Sequence, residues 1–162
     1  METCDICQHG SIPTAGRIVD VDSIEDSALN FQSSKTIGTA LAKLPGGIDS
    51  NFVLAPCSGD DISAACEPAG MLRGTREVAR LHCPVSGRGF ELSTNAPGMQ
   101  IYTGGGLEGA PGKDEVVYKS FQNVCLETQT YPDSVHHTNF PPPWLKEGET
   151  YKHTMIFRFF TE

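Results

Sequence analysis

The chain has 162 residues, 12 Lys+Arg against 20 Asp+Glu, and a formal charge of −8 at pH 7. The length suits about one domain with a real core, and the acidic balance excludes the basic face that a nucleic-acid backbone or an anionic membrane requires. No window of about 18 consecutive apolar residues is present to cross a bilayer. Met1 to Gly10 lack the basic and apolar regions of a secretory signal, so the expectation is a cytoplasmic protein with reduced thiols at Cys4, Cys7, Cys57, Cys66, Cys83 and Cys125.

In chain order, residues 1–10 read as a flexible lead-in and residues 11–162 as the domain. Cys4-x-x-Cys7 followed by His9 supplies two thiolates at a zinc-like spacing. Four ligands are needed, and no second closely spaced pair follows, so no metal site is expected. Ser34 to Leu44 carries one short helix. Gly59 to Thr75 is polar, rich in small residues and reads as a long loop. Strands dominate from there. Glu77 to Cys83 places Ala79, Leu81 and Cys83 on one face, and Phe90, Leu92 and Thr94 share a face in the next run. Met99 to Thr103 and Val124 to Gln129 are further short strands. In Tyr151 to Phe160, alternate positions Tyr151, His153, Met155, Phe157 and Phe159 make one large, mostly apolar face. Cys83 and Cys125 fall in these runs and are expected to act as small buried hydrophobes; His82 and His153 fall there too and are expected to be structural.

Turn signals separate the strands at Ser86-Gly87-Arg88-Gly89, Ala96-Pro97-Gly98, Gly104-Gly105-Gly106 and Pro141-Pro142-Pro143. The 17 glycines and 11 prolines exceed the roughly 19 that average usage would give together. Many short strands with such punctuation predict an all-β sandwich or barrel.

Few side chains carry chemistry. Gly104-Gly105-Gly106 lacks the Gly-Lys-Ser/Thr ending of a phosphate cradle and reads as a flexible turn. His136 and His137 would point to opposite faces of a strand, so a solvated loop pair is expected rather than a joint metal site. Glu127 is the notable acid: in Val124 to Gln129 it shares a face with Cys125 and Gln129, mid-strand, where burying a carboxylate without partners is expensive. An exposed acid on the wet face of a sheet explains the pattern as well. Asp49, after Gly46-Gly47-Ile48, is ordinary turn chemistry by itself.

The order of several segments adds to this. Gly47-Ile48-Asp49-Ser50-Asn51-Phe52, Ser86-Gly87-Arg88, Pro97-Gly98-Met99-Gln100-Ile101-Tyr102-Thr103-Gly104, Cys125-Leu126-Glu127-Thr128-Gln129, Pro132-Asp133, Asn139-Phe140-Pro141-Pro142 and Gly148-Glu149-Thr150-Tyr151 follow one another in this sequence. The series resembles the aldose 1-epimerase (galactose mutarotase) family from Ser11 onward, over roughly the C-terminal half of that family's fold. The resemblance implies an all-β, mutarotase-like antiparallel β-sandwich (a supersandwich), here partial, with the sugar in a cleft across one sheet. It implies interconversion of the α and β anomers of hexoses such as galactose and glucose, with Glu127 as the catalytic base on a partly buried strand position. Asp49 and Gln100 would hold sugar hydroxyls, and no metal or organic cofactor is implied.

The family's catalytic acid is a histidine in an Asn-His-Ser/Thr motif that this chain does not contain. Asp49 is followed by Ser50 where the family usually has His, Gly105 stands for its usual Asn, and His136 stands where Asn is usual. A non-catalytic carbohydrate-binding or interaction protein is therefore the alternative expectation. Half a sandwich also predicts self-association or a completing partner through exposed strand edges.

Overall fold

The structure, a computed structural model, describes residues 3–6 and 10–13 as backbone and residues 27–54 and 67–162 with their side chains. Nine strands occur in these stretches: β1 (Thr3–Ile6), β2 (Gly10–Pro13), β3 (Lys35–Thr36), β4 (Asp49–Val53), β5 (Arg76–Cys83), β6 (Arg88–Thr94), β7 (Gly98–Tyr102), β8 (Cys125–Gln129) and β9 (Met155–Thr161). They form two antiparallel sheets, one ordered β3-β1-β5-β6-β9 and the other β2-β4-β7-β8. The all-β antiparallel architecture expected from the turn punctuation is what the chain adopts.

The core follows from period-2 alternation. Phe52, Met99 and Thr128 lie opposite one another across β4, β7 and β8, and Ser50, Ile101 and Leu126 form the next row of the same face. The other sheet contributes Val78, Ala79, Leu81 and Leu92 to the same apolar cluster. Both Val78 and Ala79 are buried because a β-bulge between Glu77 and Ala79 places an extra residue in β5. Simple alternation could not anticipate Val78. Phe31 closes one flank, with its ring edge-on to Phe52 at 6.2 Å.

The expected helix is short. α1 (Ile37–Leu41) begins where the Thr36 side chain accepts a hydrogen bond from the Thr39 amide, and it ends at Ala42. Five residues cannot hold a helix alone. Burial of Ala40, with Ile37, Leu41 and Leu44 packed on the core, holds it in place. Within the expected long loop, residues 67–75 include a tight turn at Pro68–Gly70, and residues 59–66 lie outside the described residues. Thr3–Ile6, within the expected lead-in, runs antiparallel to β5.

The last strand starts later than its sequence pattern. Tyr151 to Thr154 are not in strand, because Asn95 holds this segment from the side: its Oδ1 accepts from the Thr154 amide and its Nδ2 donates to the Lys152 carbonyl. His153 then turns to the other sheet, with Nε2 2.8 Å from Thr128 Oγ1. The apolar face of β9 lies across from β6, Phe157 opposite Leu92 and Phe159 opposite Phe90. Phe159 is nonetheless 76% exposed and Phe157 43%. The second sheet does not reach over β9, and β9 is the edge of its own sheet among the described residues. On the opposite face, Glu91 pairs with Arg158, and Arg80 Nη2 lies 2.6 Å from Glu162 Oε1. Such exposed pairs are worth little individually.

Phe52, fully buried between the sheets, tests this core. Phe52→Ala is expected to lower unfolding stability by about 3–5 kcal/mol through lost burial and an unfilled cavity, measured by urea denaturation. A loss below about 1 kcal/mol would contradict the packing described.

Candidate functional site

The face of β4-β7-β8 turned away from the core holds the site. Alternation that sends Phe52, Met99 and Leu126 inward sends Asp49, Asn51, Gln100 and Glu127 outward. Register then sets their rows: Asn51, Gln100 and Glu127 are directly opposite across three strands, and Asp49, Tyr102 and Cys125 form the row beside them. The three residues singled out in the sequence, Asp49, Gln100 and Glu127, are therefore brought together on three adjacent strands of one sheet.

Gln100 Nε2 donates to Asp49 Oδ1 at 2.6 Å, a diagonal contact between neighbouring strands. Gln100 is 9% exposed, whereas Asp49 and Glu127 are exposed. The expected partial burial of Glu127 is not found, since β8 is the edge of its sheet among the described residues. A carboxylate open to solvent beside a buried carboxamide and a second carboxylate offers acceptors for hydroxyl protons and one oriented donor. It can take up and return a proton; it does not resemble a cluster for a cation. Among the described residues no group of three or more His, Cys, Asp or Glu could hold a metal ion.

Asn51 was not singled out in the sequence, although it stands two residues from Asp49 and shares its parity. It is wholly buried, and Gly98 is what makes room for it. A Cβ at position 98 would lie 2.7 Å from Asn51 Oδ1 and 3.0 Å from the Tyr131 ring. Tyr131 and Phe140 pack edge-on at 5.2 Å and, with Val53, cover this end of the sheet face.

The covering loop contains the paired histidines. His136 ends a tight turn, Ser134–His136, and His137 follows it; neither is on a strand. His136 Nδ1 is 2.5 Å from Asp133 Oδ1 and His137 Nε2 is 3.3 Å from Asp133 Oδ2. His136 is solvated as expected, but His137 is largely buried against the Phe140 ring at 4.8 Å. The hydrogen bond with His136 holds the Asp133 carboxyl below the usual carboxylate range, opposed by desolvation and reinforced by the charge of His136 and by His137.

Other candidates dispersed. Gly104 takes a left-handed backbone at φ 71° with the Asn123 side chain against its α-carbon, so the glycine run is a packed turn. Cys83 and Cys125 are only half-buried, less buried than expected because each lies at a strand end. The Cys4 side chain, Cys7 and His9 lie outside the described residues, as do Cys57 and Cys66. His82 stacks on Phe160 at the far sheet. Two clefts of about 400 Å³ lie away from the Glu127 row; one is lined by Leu81, His82, Phe90, Val124 and Phe159, the other by Ile37, Leu41, Phe121 and Asn123. Among the described residues no helix is long and apolar enough to cross a membrane.

Two stacked antiparallel sheets with carboxylates and a carboxamide in register on one outer face define a β-sandwich bearing a polar, acid–base-capable sheet surface. The chain belongs to the aldose 1-epimerase family, whose profile matches residues 2–158. It is 48% identical over 138 residues to a galactose mutarotase of Mus musculus, covering 84% of this chain and 36% of that protein. It is 35% identical over 153 residues to the galactose mutarotase of Bos taurus, covering 91% and 38%. The solved structure of a GalM/aldose epimerase homologue from C. elegans superposes over 99% of this chain and 46% of its own, with a TM-score of 0.73 at 15% identity. The galactose 1-epimerase structure from Lactobacillus acidophilus NCFM gives 0.62 at 20% identity. The chain thus spans less than half the length of these relatives.

The Asp133 geometry makes a pH-dependent prediction. A carboxyl held below its ordinary value adds stability that is present above the unfolded value of about 3.9 and is lost as pH falls through the folded value. Asp133→Asn should therefore melt at a lower temperature than the parent chain at pH 6, and the difference should close as the pH is lowered below about 4. Thermal melts across that range check it; a difference that grows on acidification would contradict the pairing.

Proposed function

We propose that this sheet face binds a hexose and that the chain interconverts the α and β anomers of sugars such as galactose and glucose. In this proposal residues 11–162 contribute to a mutarotase-like domain and the substrate is the sugar alone. The observation that carries the reading is the single row of Gln100 and Glu127 with Asp49 hydrogen-bonded to Gln100 across the ladder. Membership of a family whose relatives are named galactose mutarotase and aldose 1-epimerase supports the choice of substrate class.

The chemistry follows from those groups. Glu127 takes the proton of the anomeric hydroxyl as a solvent water at this open face gives a proton to the ring oxygen. The C1–ring-oxygen bond breaks, and the C1 hydroxyl becomes an aldehyde. The aldehyde turns about its bond to the next carbon. The ring then closes on the other carbonyl face, Glu127 returning its proton to the new hydroxyl while the ring oxygen gives its proton back to the hydroxide left by that water. Asp49 accepts from one hydroxyl of the sugar and Gln100 donates to another, fixing the ring over the carboxylate. A positioned base of this kind contributes about 10²–10⁴ in rate.

A second reading has its own observation. The residues of this face on β4, β7 and β8 include no histidine to act as the acid. On that reading the chain holds sugar without turning it over. One experiment separates the two: polarimetry of freshly dissolved α-D-galactose with folded chain and with Glu127→Gln. Acceleration by the parent chain that falls about 10²-fold or more in the variant supports catalysis. No acceleration from a folded chain that still binds galactose supports the second reading, and absence of both overturns the sugar assignment.

Self-association is part of the proposal. Among the described residues β9 presents an unpaired edge with exposed Ile156, Phe157 and Phe159, and such an edge templates pairing with a second copy. Sedimentation should show an average mass rising with concentration; a monodisperse monomer at all concentrations would count against it.

A further inference from the structure

Asn51 is wholly buried, yet neither Nδ2 nor Oδ1 has a hydrogen-bond partner among the described residues. Leaving such atoms unpaired is costly, about 1–3 kcal/mol for a buried polar group, and an apolar side chain of similar shape would avoid it. The backbone accommodates the carboxamide at a further cost, since position 98 has no room for a Cβ beside Asn51 Oδ1 and the Tyr131 ring. An amide is therefore kept at a position where packing alone would favour a hydrocarbon.

Its place in the ladder indicates what it does. Asn51 lies directly opposite Gln100, and Gln100 directly opposite Glu127. Side chains opposite each other on adjacent strands have Cβ atoms about 4.5–5.5 Å apart, within reach of one carboxamide for another. In this structure the Gln100 amide is given to Asp49. A sugar hydroxyl that is to bond the same oxygen, Asp49 Oδ1, competes with that donor. Burial keeps solvent from Asn51, so a ligand does not touch it directly.

We propose that Asn51 is a positioning residue that receives the Gln100 carboxamide when a sugar displaces it from Asp49. The inference rests on the sugar-binding reading above for its ligand, but not for the movement itself. Gln100 has two stations: Asp49, as seen here, and Asn51, whose Nδ2 donor and Oδ1 acceptor match a carboxamide in both senses. In the second station the Asp49 carboxylate is free to accept from a hydroxyl, and Gln100 stays ordered rather than becoming unpaired. The amide of Asn51, unpaired among the described residues, is then an empty station of a two-position hydrogen-bond switch.

The test uses Asn51→Leu, which keeps the branching of the side chain without its polar atoms, and Asn51→Ala in case leucine cannot be packed beside Tyr131. A residue that only fills space would lose stability on truncation and leave Gln100 unchanged. The expected result is a folded variant whose Gln100 side-chain NH₂ signals, assigned in ¹⁵N-labelled protein, settle in one sharp position, while the parent chain shows exchange between two. Galactose affinity should fall about three- to tenfold, the size of one net hydrogen bond. Identical Gln100 signals and exchange in the parent and both variants would overturn the proposal, whatever the binding result. If the parent chain binds no galactose, the sugar reading fails, and the NH₂ signals still decide whether Asn51 and Asp49 share Gln100.

Discussion

Everything in this site depends on the register of three short antiparallel strands. β4, β7 and β8 are each five residues long, and their side chains alternate between the apolar interior and one polar outer surface. A slip of one residue in any of them would turn Gln100 or Glu127 into the apolar interior and Met99, Ile101 or Leu126 out of it. The core therefore enforces the site. Phe52, Met99 and Ile101 hold the register because their burial is favourable in one register only, and the polar row is the consequence on the other side.

The polar surface is supported where backbone and aromatic rings close over it. Gly98 allows β4 and β7 to carry Asn51 beneath the Tyr131 and Phe140 rings, which seal one end of the face. Asp133, held by His136 and His137, ties the loop that carries those rings. The other end, at Asp49 and Tyr102, remains with its acids in solvent. The gradient from a sealed, apolar end to an open, charged end suits a ligand with one edge of hydroxyls. The far sheet is built differently: its outer face is laced by Arg80, Glu91, Arg158 and Glu162, while the inner face of β9 is left with uncovered phenylalanines.

Much of this was legible in sequence. Alternation in Glu77–Cys83, Phe90–Thr94 and Val124–Gln129 located three strands within a residue or two, because a half-buried strand writes its period directly into the chain. Ser34 to Leu44 reads as one short helix, and its core Ile37–Leu41 is helical, but the Thr36 cap and the burial of Ala40 emerge only in the structure. The site residues were legible only through resemblance, since Asp49 and Glu127 have no local pattern distinguishing them from turn and surface acids. Val78 was hidden by a bulge, which breaks the period it would be read from. The late start of β9 was hidden because Asn95, some sixty residues away, takes the hydrogen bonds of residues 152 and 154. The histidine pair looked like a solvated loop, and half of that holds: His136 faces water, but Phe140 shelters His137.

What the sequence by itself determined is the class of fold and which residues face the same way along each strand, because the two-residue repeat and the Gly/Pro turns are local properties. What only the tertiary structure decided is which strands are neighbours and in what register. Gln100 meets Asp49 across 51 positions of chain and lies level with Glu127 through pairing that no local pattern encodes. It also decided that, among the described residues, Glu127 is exposed at a sheet edge and Asn51 is buried without a partner, since burial is a property of what packs over a residue and not of the residue itself.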